Sequence, residues 1–519
     1  MTVFLFVMVP ASTMGQSSKI RPLPVRQEVE CFNGMAAGFQ CENVNLLSIV
    51  SPAEMGATET CSSKPPSTRC LMSDMWGWFD AQTDKEYAIV GREDGTSFID
   101  VTDPMNPVYV GTLPFNGSRP SYWRDMKVYN DHVYIVADAS AGNGIQILDL
   151  KSLREFNGTP ISFQMSAHYD QLGAAHNIVI NEESGFAYVV GAGGISCQGL
   201  YMLDLSDPLS PQFAGCHMEA APRSSYTHDA QCIIYNGPDI DYTGREICLM
   251  ANENAVAIAD VTVKNSVRSI SSMAHPSATY VHQGWLTEDQ KYFIQNDELD
   301  EQQNFDVKNT RTIIWDVSDL DDPVLLKVYD AEGTSIDHNL YVKDSYVFQS
   351  NYTDGLHILD ISNPSNPSEV GFFDTHTRTK GSPGYDPFDG TWSNYPFFKS
   401  GAIAISSFEE GLFMVRPTFS SGIATERTSL PEKYVVTEAY PNPFVDHLTL
   451  TFKTTNTEHV RASIFDALGR EVEMIVSRVV TAKTRQQFEV DLSDLPPGTY
   501  FYKVIGETFE VSRSITRIN

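Results

Sequence analysis

Gly355-Leu-His-Ile-Leu-Asp-Ile-Ser-Asn-Pro364 decides the fold. Its apolar and β-branched residues favour an extended strand, and the Asp with the Asn-Pro pair marks a turn. Nearly the same phrase recurs as Gly95-Thr-Ser-Phe-Ile-Asp-Val-Thr-Asp-Pro104, Gly144-Ile-Gln-Ile-Leu-Asp-Leu150 and Gly199-Leu-Tyr-Met-Leu-Asp-Leu-Ser-Asp-Pro208. It returns as Ala255-Val-Ala-Ile-Ala-Asp-Val261 and Arg311-Thr-Ile-Ile-Trp-Asp-Val-Ser-Asp319, and in a degenerate seventh copy as Gly411-Leu-Phe-Met-Val-Arg416. The final positions, Asp100, Asp149, Asp204, Asp260, Asp316, Asp360 and Arg416, stand 44 to 56 residues apart.

Another strand precedes each copy, such as Glu86-Tyr-Ala-Ile-Val90 or Ala187-Tyr-Val-Val190, with a first strand before it and a fourth after it, such as Pro323-Val-Leu-Leu326. Four antiparallel strands at a period of about 50 residues describe a propeller blade better than a solenoid coil. The expected fold is all-β: a seven-bladed β-propeller over residues 73–417, then a small Ig-like β-sandwich. The seventh unit has no fourth strand of its own. Val44-Asn-Leu-Leu-Ser-Ile-Val50, within the N-terminal segment 16–72, is expected either to supply it and close the ring, or to pack on the outside.

Composition narrows the setting. In 519 residues, 66 acidic side chains outweigh 36 basic ones, for a net charge of −30. So negative a surface repels phosphate backbones and anionic lipid, which argues against nucleic acid as a partner. No stretch is long and apolar enough to span a membrane. Val3-Phe-Leu-Phe-Val-Met-Val9, followed by small residues, reads as the core of a signal peptide over residues 1–15; no basic residue precedes it, so part of the leader is read as missing. The eight cysteines suit disulfides in an exported protein, with reduced buried thiols as the alternative. Blade geometry pairs Cys197 with Cys216 and Cys232 with Cys248; Cys61 with Cys70 and Cys31 with Cys41 complete the set.

The repeats resemble the LVIVD repeat, and residues 28–417 look like the choice-of-anchor B family, whose members are extracellular or surface repeat bodies on differing C-terminal anchors. Residues 418–433 read as a linker. In the tail, 434–519, Ala439-Tyr-Pro-Asn-Pro-Phe444, Ile464-Phe-Asp-Ala-Leu-Gly-Arg470 and Leu495-Pro-Pro-Gly-Thr-Tyr500 resemble the type A sorting domain of type IX secretion. That resemblance implies the type IX machinery as a partner, passage across the outer membrane, and release or surface anchoring.

The first strands of the seven units start on polar residues. Asp74, Asp125, His176, His228, His282, His338 and Asn394 are separated by 51, 51, 52, 54, 56 and 56 residues. Around a propeller axis such positions meet in a ring, which either hydrogen-bonds neighbouring blades or holds a divalent metal. Zinc or calcium are the metals expected if there is one; no other cofactor is. Strand order places the second loops, with Glu93, Asp94, Asp138, Glu253, Asp297, Glu298 and Asp354, on the same face. His132, His168, His217, His275, His357 and His376 are read as surface or core residues. Asp239-Ile-Asp-Tyr-Thr-Gly244 lacks the distal Glu of a calcium loop and reads as a turn. P-loop, dinucleotide-binding, H-E-x-x-H and G-x-S-x-G patterns are absent. The expected function is binding of an extracellular protein, glycan or small molecule; the alternative is a metal-dependent, lactonase- or esterase-like hydrolase using the four ring histidines with Asp74 and Asp125.

Overall fold

A computed structural model of the chain describes residues 25–57, 70–220, 224–378, 380, 385–419, 434–440, 444–454, 457–466, 470–481, 486–506 and 510–518. The expected signal peptide, most of the expected linker and Cys61 lie outside these residues. The chain divides into two compact units, Met1–Ala424 and Thr425–Asn519.

Among the described residues of the first unit, seven sheets follow one another along the chain, antiparallel except where the short Ile161–Ser162 pairs parallel with Val108–Pro114. Their innermost strands are Met72–Asp80, Arg124–Tyr129, Asn177–Asn181, Asp229–Ile234, Val281–Leu286, Leu340–Lys343 and Thr391–Tyr395. Each packs against its predecessor and successor, and the last packs against the first. The result is a closed β-propeller, and the sheets are called blades 1 to 7 below. Apolar side chains are buried between blade faces: Trp78, Ile89 and Phe98 of blade 1 cluster with Met126, Val133 and Ile135 of blade 2.

The repeated Asp has a local job. Its carboxylate accepts the N–H two residues on, from Thr102 at Asp100 (3.1 Å), Ser206 at Asp204 (2.8 Å), Thr262 at Asp260 (3.0 Å), Ser318 at Asp316 (2.9 Å) and Ser362 at Asp360 (2.8 Å). This Asx turn sends the third strand into the fourth. In blade 2 Asp149 instead caps the short 3-10 helix Leu150–Glu155 through the Lys151 N–H, and the outer strand follows at Ala167–Tyr169.

Blade 7 needs no such turn, and there the Asp is replaced by Arg416. Its outer strand comes from the other end of the chain: Val44–Val50 pairs antiparallel with Gly411–Pro417, with Phe413 opposite Ile49 and Met414 opposite Ser48. Arg26–Val29 then adds to the edge of Val44–Val50, and Phe39–Glu42 adds to the edge of blade 6 at Ser368–Phe373. Disulfides join Cys31 to Cys41, Cys197 to Cys216 and Cys232 to Cys248. Among the described residues, no helix is long and apolar enough to cross a membrane.

The second unit is a two-sheet sandwich. Tyr434–Tyr440, His447–Thr454 and Gln486–Asp491 form one sheet; Glu458–Asp466, Glu471–Val480, Gly498–Ile505 and Glu510–Arg517 form the other. Phe444, Leu448, Leu450, Ile464 and Val504 are buried together between them. The quoted tail motifs set turns: the Asp466 carboxylate accepts the Arg470 N–H at 2.9 Å, and the Tyr500 hydroxyl donates to the Pro496 carbonyl at 2.8 Å.

Leu46 is fully buried in the closing strand, among Phe348, Phe373 and Phe413. Leu46→Ala is expected to lower stability by about 2–5 kcal/mol in urea titration; an unchanged midpoint would mean that the ring does not depend on this strand.

Candidate functional site

Ring closure brings the histidines together at one end of the axis. Imidazole centroids are 4.4 Å apart for His176 and His228, 4.2 Å for His228 and His282, and 4.4 Å for His282 and His338. Each occupies the same place in its blade, and two of them reach the neighbouring blade's backbone. His228 Nδ1 lies 2.9 Å from the His282 carbonyl, and His338 Nδ1 lies 2.6 Å from the Trp392 carbonyl. As donors to carbonyls these Nδ1 atoms carry the proton, leaving each Nε2 as a lone-pair donor. Asn296 stands beside His282, but its amide is committed to the Gln283 N–H and the His338 carbonyl. His282 Nδ1 is therefore buried with no partner of hydrogen-bonding geometry.

Of the acidic loop residues, Glu298 and Asp138 reach this cluster. One ligand atom from each of His282, Glu298 and His338 lies within 4.8 Å of the others. His282 Nε2 is 3.9 Å from Glu298 Oε2, too far for a hydrogen bond and close to the separation of two atoms that share an ion at about 2.0–2.2 Å. The Tyr352 hydroxyl donates to the other oxygen, Oε1, at 2.8 Å. Asp138 Oδ2 is 3.0 Å from His176 Nδ1. The rest are engaged elsewhere: Asp297 accepts the Thr279 and Tyr280 N–H groups and faces His275, Glu253 accepts the Ser224 hydroxyl, and Asp94 pairs with Arg92. Glu93 is fully buried, and the Asp354 carbonyl faces His357 Nε2 at 3.2 Å.

Asp74 lines the cavity of the imidazoles, whereas Asp125 does not. They stand one residue further along their strands, and with Asp229 they surround Lys127, whose Nζ is 2.7 Å from Asp125 Oδ1. All three accept the next residue's N–H at 2.7 Å. Pairing the residues that start each blade explains the offset: Arg124-Asp125, His176-Asn177, His228-Asp229, His282-Gln283 and His338-Asn339 recur at the blade period. Aligning Asp125 with His176 slipped the first two blades by one position. The same dyad signal could have nominated Arg124, which lines the axial cavity with Asp74, Trp123, Asn177, Asn339, Trp392 and the four histidines.

Burial governs the electrostatics. It holds His228 well below the ordinary imidazole range, helped by His176, and His282 likewise, helped by His228 and His338; it takes His338 down to about 3. All three rings are neutral at pH 7. Burial lifts the Glu298 carboxyl to about 7, against the Tyr352 hydrogen bond, and Asp229 to about 7, and raises Asp74 with the help of Asp125. Elsewhere three histidines pair with carboxylates: His376 with Glu409 at 2.8 Å, His357 with Glu369 at 2.9 Å and His217 with Glu219 at 3.1 Å. His132 bonds the Asn130 carbonyl and His168 the Asn143 carbonyl. Asp239, Asp319 and Asp321 form a second acidic group, but Asp239 accepts the Leu320 N–H and Asp321 accepts the Tyr242 hydroxyl.

Comparison with known proteins bears first on the tail. Residues 438–517 match the secretion system C-terminal sorting domain, and residues 338–375 match the LVIVD repeat. The C-terminal unit is a sorting domain. The chain is accordingly exported to the cell surface or the extracellular space. No curated protein matches it. Among solved structures, the extracellular domain of BT4673 from B. thetaiotaomicron is 10% identical at TM-score 0.41, with 91% of this chain and 59% of that one covered. This chain thus spans little more than half of that protein. A periplasmic gluconolactonase from Pseudomonas aeruginosa, PpgL, is 12% identical at TM-score 0.39, covering 58% of this chain and 87% of that one. Likenesses this distant assign no activity here.

Depressed imidazoles make stability pH-dependent in a fixed direction. In the unfolded chain each takes a proton near pH 6.5; in the folded chain His338 resists down to about 3. Its stabilising share is full above about pH 6.5 and is lost as pH falls toward 3. The raised carboxyls of Asp74, Asp229 and Glu298 act in the opposite sense between about 7 and 4. His338→Asn isolates the histidine share: urea titrations at pH 6.5 and pH 4 are expected to show an acid-induced loss smaller by roughly 2–3 kcal/mol than in the wild type. Equal losses in the two proteins would contradict the assignment of a neutral His338.

Proposed function

We propose that this exported propeller is a metal-dependent binding protein, holding one divalent ion at the channel mouth through His282, His338 and Glu298, with His228 the next donor, and receiving its ligand there. The observation that carries this reading is the convergence of two buried neutral imidazoles and one partly buried carboxylate within 4.8 Å. Nitrogen donors with one carboxylate suit zinc and its transition-metal neighbours. Calcium takes six to eight oxygens, so this donor set disfavours it.

Hydrolysis is a second reading, supported by His176. Asp138 orients its Nδ1, which leaves Nε2 beside His228 as an acceptor, the arrangement a general base requires. Bound zinc would supply an activated water; His176 would take the proton.

Chelator-stripped protein is expected to rebind one zinc per chain and to ignore calcium, as read by calorimetry and elemental analysis. Loss of a supporting contact costs about 10–100-fold in affinity. His282→Ala should cost at least that, and Glu298→Gln a comparable amount. Sub-stoichiometric zinc, or variants that bind as the wild type does, would end the metal reading. With zinc bound, hydrolysis of aryl esters or lactones that falls at least about 100-fold in His176→Gln would select the second reading; absence of turnover would select the first.

A further inference from the structure

Arg124 is the unexplained group at this site. It opens the innermost strand of blade 2 and lines the same cavity as the four histidines. It is 2% exposed, and its Nε and Nη1 are buried without a hydrogen-bond partner. The opposite charge acting on it most strongly, Asp94, is engaged by Arg92 Nε at 2.9 Å. Burial pushes the guanidinium pKa down to about 10, so it keeps its charge at neutral pH. A buried charge with unsatisfied donors is strongly disfavoured, so its presence in a native fold calls for an explanation. The surrounding imidazoles are neutral, and the Asp74 carboxyl that shares the cavity accepts the Met75 N–H and the Asn339 amide instead.

We propose that Arg124 is the anchor for a carboxylate on the ligand of this propeller, so that the ligand is a small organic acid or a chain ending in one. The guanidinium fork matches a carboxylate with two parallel N–H···O bonds. Trp123, tilted against Tyr122 at 4.4 Å, and Trp392, stacked on Phe408 at 5.2 Å, line the same cavity and give the rest of the ligand an aromatic rim. The proposal rests on the metal reading only for a second contact, between a ligand donor atom and the ion.

The test titrates acetate, benzoate and inorganic phosphate into stripped and zinc-loaded protein, for the wild type, Arg124→Gln and Arg124→Lys. Carboxylate binding by the wild type that weakens at least tenfold in Arg124→Gln, and also in Arg124→Lys, which keeps the charge and loses the fork, is the expected result. Zinc affinity should stay within twofold in both variants. Because no hydrogen bond of the guanidinium is lost, the melting temperature of stripped Arg124→Gln should equal or exceed that of the wild type. A drop of several degrees would show a structural arginine and overturn the proposal. So would carboxylate binding that ignores Arg124, or tighter binding of phosphate than of either acid. Carboxylate binding that needs Arg124 in protein unable to hold zinc would sink the metal reading alone and leave this one standing.

Discussion

Everything at the channel mouth depends on one strand pairing. Val44–Val50 supplies the outer strand that blade 7 lacks, and the backbone ladder with Gly411–Pro417 turns a row of sheets into a closed circuit. Closure removes two sheet edges that would otherwise be open to pairing with other chains. It also fixes the axis. Residues more than fifty positions apart then lie side by side because they hold the same place in successive blades, which is how four histidines stack at 4.2–4.4 Å.

The site is built against stability. Three imidazoles are kept neutral by burial, one ring nitrogen of His282 has no partner, and Arg124 carries its charge without one. Elsewhere buried histidines pair with carboxylates, as His376 with Glu409 and His357 with Glu369 show. Sites of binding and catalysis are where folds tolerate that cost.

Much of the architecture was legible because it repeats. The Asp ending each third strand reads as a turn, and the structure gives it that work through the N–H two residues on. Even the departure at Arg416 is informative, since the strand that follows comes from elsewhere and no turn is needed. The histidines were legible for the same reason. Asp74 lines the histidines' cavity, but Asp125 stands one residue beyond the histidine position, because single polar positions were aligned and not the recurring dyads of Arg124-Asp125 and His176-Asn177. Strand period fixes where residues stand, but loops decide which carboxylates turn inward. Of adjacent Asp297 and Glu298, one binds backbone N–H groups and the other reaches His282. No pattern in the sequence separates the two.

Diffraction from a zinc-soaked crystal, recorded at the zinc absorption edge, tests the central claim most directly. The account predicts one strong anomalous peak on the propeller axis, about 2.0–2.2 Å from His282, His338 and Glu298. A peak only at the surface group of Asp239, Asp319 and Asp321, or none beside the histidines, would contradict it.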